Sequence, residues 1–198
     1  MHHKRIAIVA AFSLLAACGG DSATNVIDGA TTGSLSFSYT GAGGGSYSAT
    51  GSITSAALAS SPYTTTWAMG FKDSTDKSTN VAANIPRTST TSDVAVLTVK
   101  GQATGTFAID VNCSTTSTST CNDVALLIGQ SANGQTFTNI CTLTSGSITI
   151  STLSSTNAVG SFSGSGTCVT STGTVSSWVV TNGAFNVPLL ANVPSTIP

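Results

Sequence analysis

The chain of 198 residues contains no glutamate, and its only histidines are His2 and His3. Charged residues make up 7% of it and aromatic residues 6%, which leaves little for ion-pair networks or large aromatic platforms. The formal net charge is −1, so the basic footprint that nucleic acid demands is missing. No apolar run is long enough to cross a bilayer as a helix, which takes roughly 20 residues; the stretch Ile6–Leu15 has about half that. What is abundant is hydroxyl: 31 Ser and 34 Thr, about a third of the chain. The 40% apolar content that accompanies them is too high for a disordered, mucin-like stalk.

Residues 1–17 read as a secretory address: a basic start at Lys4 and Arg5, an apolar stretch, then small residues. Leu15-Ala16-Ala17-Cys18 resembles the lipobox of bacterial lipoproteins. That resemblance implies cleavage between Ala17 and Cys18 and lipid attachment at Cys18, so that the membrane is a partner through the anchor. One acyl chain holds a protein marginally and two or more hold it stably. Gly19, rather than Asp, follows the cysteine, which in this class favours the outer membrane, facing either the periplasm or the cell surface. The chain from Cys18 onward keeps four basic and seven acidic side chains, a net charge of −3, and no histidine. Residues 18–33 are small, polar and aperiodic, and read as a tether with an r.m.s. span of roughly 20 Å.

From Ser34 to Leu190 the pattern has period two, the signature of strands with one wet face. Leu35, Phe37 and Tyr39 alternate with serines; so do Tyr47 and Ala49. Trp67, Met69 and Phe71 share a face, as do Phe107, Ile109 and Val111, then Ile148 and Ile150, then Phe185, Val187 and Leu189. Further strands are expected at 93–99, 123–130, 136–144, 158–168 and 174–182. Only Ser52–Ser60 suggests a helical turn. The expectation is an all-β domain of about ten strands, either an antiparallel β-sandwich or a squat up-and-down β-barrel, with 191–198 as a tail. A transmembrane barrel would show aromatic girdles, and none is present.

Two stretches, Gly33–Gly51 and Gly146–Leu190 with its TNGAFNVPLL ending, resemble a group of uncharacterised β-rich outer-membrane lipoproteins of Gram-negative bacteria. The shared positions are turn glycines and core aromatics, so the resemblance implies fold and location and no activity.

With Cys18 taken by lipid, Cys113, Cys121, Cys141 and Cys168 remain, and an oxidising compartment favours two disulfides. Facing residues of a hairpin share one number sum. The expected hairpin of 107–111 with 123–127 has a sum near 234, which Cys113 and Cys121 match. That of 146–153 with 158–165 has a sum near 309, which Cys141 and Cys168 match. A zinc site lacks both CxxC spacing and histidine, so no metal is expected.

Catalytic residues are not expected either. Without histidine no Ser-His-Asp or Cys-His site can form. A carboxylate pair could come only from aspartates such as Asp110 and Asp123, which read as strand-end residues. Ser74-Thr75-Asp76-Lys77 matches a Ser-x-x-Lys motif, but its companion motifs are missing. The segment FKDSTDKSTN reads as an exposed loop. Asp73 and Asp76 lack the spacing of a calcium loop. Trp67 and Trp178 read as core, and Tyr63 as the best exposed aromatic. The sequence therefore describes a non-enzymatic, lipid-anchored envelope protein, a binding or structural module for a glycan or protein, with no cofactor. The alternative is a lipocalin-like carrier enclosing a small apolar ligand.

Overall fold

The computed structural model describes residues 31–41, 43–60, 62–73, 76–110, 121–131 and 136–190. Cys18 and Cys113 lie outside them, as do the address, most of the tether and the tail. The elements are β1 (Gly33–Thr40), β2 (Gly45–Gly51), α1 (Ser55–Ser60), β3 (Trp67–Asp73), β4 (Ser78–Pro86), β5 (Thr91–Lys100), β6 (Gly105–Ala108), β7 (Asp123–Ser131), β8 (Asn139–Leu153), β9 (Asn157–Thr170) and β10 (Val175–Leu190). The domain is all-β, with ten strands in one sheet that partly closes into a ring.

Three long strands make the closure possible. β9 pairs with β8 on one side and β10 on the other along nearly its whole length. β8 then gives its first residues to β7 and later ones to β6. β10 gives its middle to β1 and its last two residues, Leu189 and Leu190, to β3 in the one parallel link among the described residues. Two parts of this one sheet face each other across the core: β2-β1-β10-β9-β8-β6 (the first sheet) and β3-β4-β5-β7 (the second sheet). Between them lies the main core, where Leu35, Phe37, Tyr47, Phe162, Trp178 and Phe185 of the first sheet meet Val81, Leu97, Val124 and Leu126 of the second. The Tyr47 hydroxyl reaches across to donate to the main-chain oxygen of Asp93 at 3.4 Å.

The inward positions of β9 explain how so many rings fit. They run Ala158, Gly160, Phe162, Gly164, Gly166 and Cys168, and the glycines face large residues: Gly160 is opposite Phe185, and Gly166 opposite Trp178. A Cβ on Gly160 would lie 2.4 Å from the Phe185 ring. Cross-strand glycine–aromatic pairs of this kind close the ladder while the ring covers the bare backbone.

The second sheet is covered on its outer face as well. Leu58 of α1 packs with Trp67, Met69 and Ala82, and Tyr63 packs with Val94, Ala125 and Leu127. The Trp67 indole N–H donates to the Pro62 oxygen, pinning the covering segment. β4 is consequently buried from Ser78 to Asn84 without alternation, and this strand has no counterpart among the sequence-expected ones. Six of the ten residues of the segment expected to be an exposed loop are strand, Phe71–Asp73 and Ser78–Asn80, and of these Asp73 and Ser78–Asn80 are buried.

Among the described residues the hairpin expected between 107–111 and 123–127 goes no further than one main-chain bond, Asp110 N–H to the Asn122 oxygen; β6 pairs with β8, and β7 with β5. The reason is burial. β7 needs two covered faces and belongs to the second sheet, whereas β6 is largely exposed and sits at the edge of the first. The hairpin of β8 with β9 does form, with Cys141 opposite Cys168, and these two are disulfide-bonded. Bulges between Leu143 and Ser145 and between Ile150 and Thr152 shift the register by one residue each.

Candidate functional site

The two sheets differ in what they show to solvent. The outer face of the first sheet is paved with small hydroxyl side chains in register. One row crosses all six strands: Thr106, Thr149, Ser161, Ala184, Ser36 and Ser48. A second passes through Ala108, Ser147 and Ser163, crosses a bulge in β10, and continues through Ser38 and Ser46. The bulge carries Asn182 at φ 54°, an αL position that asparagine tolerates better than most residues. Neighbouring strands set the hydroxyls about 4.8 Å apart in one direction, and alternate residues about 6.7 Å apart in the other.

Period two makes this face. Where one residue turns to the core its neighbours turn out, and most of those neighbours here are Ser or Thr. β1, β2, β6, β8, β9 and β10 contain no Asp, Lys or Arg, so every polar group here is neutral. Hydroxyls both donate and accept, and several already bond each other, as in Ser145 Oγ–Ser165 Oγ at 2.8 Å and Thr106 Oγ1–Thr149 Oγ1 at 3.0 Å. Val175 and Val179 of β10 are the large exposed hydrophobics among the described residues.

The charged side chains lie off these six strands, although two come close: exposed Asp110 follows Ala108 just past the end of β6, and Lys72 donates to the Ser154 oxygen in the β8–β9 turn at 2.8 Å. Asp93 on β5 holds the one ion pair among the described residues, with Arg87, and also accepts from the Gly129 N–H at 2.9 Å. Gly129, at φ 64°, is the extra residue of a bulge in β7 opposite Asp93. The hydrogen bond from Arg87 to Asp93 raises the guanidinium pKa further. Asp110 and Asp123 come to one corner. Asp110 Oδ2 accepts from the Asn122 N–H at 2.9 Å, and the Asp110 N–H donates to the Asn122 oxygen. Burial raises the Asp123 carboxyl above the usual range, partly offset by the Val124 N–H. Asp73 and Asp76 form a turn in which the Asp76 N–H donates to Asp73 Oδ1 at 3.1 Å. Ser74 lies outside the described residues. Among the described residues, no three His, Cys, Asp or Glu side chains gather where they could hold a metal ion.

Trp67 and Trp178 are buried as expected, at 4% and 0% exposure. Tyr63 is not the exposed aromatic it seemed; it is 5% exposed. It follows Pro62 in a loop by sequence, but that loop lies over Val94 and Leu127, an apolar outer face that a wet-faced sheet would not have. Burial pushes the Tyr63 pKa to about 12 and raises that of Tyr47 well above 10. An unfolded tyrosine releases its proton from about pH 10, while folded Tyr63 holds it to about 12. The stability linked to this group is present below pH 10 and lost as pH rises through 10–12. Urea unfolding at pH 9 and at pH 11.5 should show a smaller alkaline loss in Tyr63→Phe than in the parent.

Sequence reasoning missed a set of buried polar side chains on the outer face of the second sheet: Asn84, Ser92 and Gln130, each 0% exposed. Their only sequence signal is a polar residue inside the apolar runs VAANIP and VALLIGQS. Cys121 is a buried free thiol; Cys113, its expected partner, lies outside the described residues.

Comparison with protein-family models, with curated proteins and with solved structures finds no match to this chain.

Proposed function

We propose that the protein is a lipid-anchored, non-enzymatic module of the bacterial outer membrane. Its working surface is the uncharged hydroxyl face of the six-stranded sheet. The carrying observation is the contrast between that face and the rest of the molecule. The six strands themselves carry no charged side chain, and in the row that crosses them neutral hydroxyls stand in register on five, with Ala184 on the sixth. Such a face offers no Coulombic attraction and no salt-sensitive contact. It suits a neutral, hydrogen-bonding partner, glycan or protein, that meets it broadly and at high local concentration. A lipid anchor supplies that concentration by holding the domain close to its target.

The filled core supports a structural or binding module over a carrier. A carrier needs an internal volume on the order of several hundred Å³. Here Phe37 stacks on Tyr47 at 5.1 Å and meets Phe162 and Trp178 edge-on at 5.5 and 6.3 Å. These rings occupy the middle of the main core.

The anchor is tested by expression in a Gram-negative host with labelled palmitate. The expected result is label in the parent and none in Cys18→Ser, with the mature chain beginning at Cys18. A mature N-terminus elsewhere removes the anchor from the proposal.

A further inference from the structure

We propose that the second sheet holds at least one ordered internal water bridging the side chains of Gln130, Ser92 and Asn84. Ser92 of β5 and Gln130 of β7 are direct register partners, and Pro86 of β4 faces Ser92 from the other side. Asn84 lies two residues before Pro86, on the same face and diagonal to Ser92. Cross-strand partners have Cβ atoms about 5 Å apart, and diagonal ones lie within reach of long side chains. All three residues are fully buried.

Their polar atoms are not satisfied by protein. Both ends of the Gln130 amide, the Ser92 hydroxyl and the Asn84 Oδ1 have no hydrogen-bond partner. The Asn84 Nδ2 donates to the Thr65 oxygen at 2.8 Å, which fixes that amide beneath the covering segment and settles where its free oxygen sits. Each buried polar group left unmade costs about 1–3 kcal/mol, and four such atoms in one place is a concentration few native domains tolerate. An internal water typically makes about three hydrogen bonds to such groups. One water that accepts from the Gln130 Nε2 and donates to the Ser92 hydroxyl oxygen and the Asn84 Oδ1 satisfies three of the four, and the Gln130 Oε1 is left for a second. None of the three partners is charged, which leaves no reason for an ion.

The test is water–amide dipolar transfer by NMR on the full chain labelled with ¹⁵N. The Gln130 side-chain amide protons, identified by their loss in Gln130→Leu, should show a cross-peak at the water frequency. That cross-peak should persist in Ser92→Ala/Tyr63→Phe, which removes the hydroxyls able to relay magnetisation, because Asn84 and Gln130 still hold the water. No cross-peak in the parent, or its disappearance in the double variant, means a dry site or a direct Ser92–Gln130 hydrogen bond and overturns the proposal. Oxygen-17 relaxation dispersion of the parent gives a reading independent of any variant. At least one long-lived water is expected, and none contradicts it.

Discussion

Replacing Trp178 with Ala should lower the unfolding free energy by about 3–5 kcal/mol, the range for truncating a buried aromatic. Trp178 is fully buried, meets the Phe37 ring edge-on, and stands opposite Gly166, whose missing side chain cannot fill the gap. The surroundings are strands bonded on both sides, so collapse into the void is restricted. Trp178→Phe should cost much less than Trp178→Ala. It keeps most of the apolar contact and removes an indole N–H that is buried without a partner, a group whose burial costs about 1–3 kcal/mol. Urea unfolding of the three proteins checks both statements. A Trp178→Ala midpoint equal to that of the parent would mean that the ring is not a core element.

Removing the Cys141–Cys168 link should cost about 3 kcal/mol, from the entropy of a closed loop of this length in the unfolded chain. The two residues are directly paired, buried, and 27 positions apart. Domains are stable by only about 5–15 kcal/mol, so the loss is large in proportion. In Cys141→Ala/Cys168→Ala the melting temperature should fall by roughly 10 °C, at 2–4 °C per kcal/mol for a chain of this size. Non-reducing peptide mapping should find Cys141 linked to Cys168, and a Cys121–Cys141 peptide would contradict that link.

The strands legible in the sequence were those with one wet face. β1, β2 and β9 alternate because water lies on one side and the core on the other, and β6 with the Ile109 that follows it shows the same alternation in Phe107 and Ile109. The Cys141–Cys168 pairing was expected from a turn near Ser154–Ser155, but the pairs beside the turn, such as Leu153 with Ala158, sum to 311, and only the two bulges in β8 bring the sum to 309 at the cysteines. β4 was illegible for the opposite reason. With α1 and the Tyr63 segment over its outer face, STNVAAN is buried on both sides and has no period to read. The partner of β6 was illegible because alternation marks a strand without naming its neighbour. Only the burial of β7 on both faces separates the two. The hydroxyl face was present in the sequence as alternating serines, but its continuity across six strands depends on long-range pairing. The buried Asn84, Ser92 and Gln130 depend on it too.

The measurement that tests the proposed working surface most directly is thiol labelling in intact envelopes. Ser163→Cys places a reporter in the middle of the hydroxyl face, and Thr90→Cys places one in the exposed β4–β5 turn; both parent residues are exposed. Each variant is labelled with a membrane-impermeant maleimide in opened envelopes and again after detergent extraction. If the hydroxyl face is engaged by an envelope partner, Ser163→Cys labels several-fold more slowly in envelopes than after extraction, while Thr90→Cys labels at the same rate in both. Equal labelling of Ser163→Cys in the two states would show that the face is open to solvent in place and that the working surface lies elsewhere.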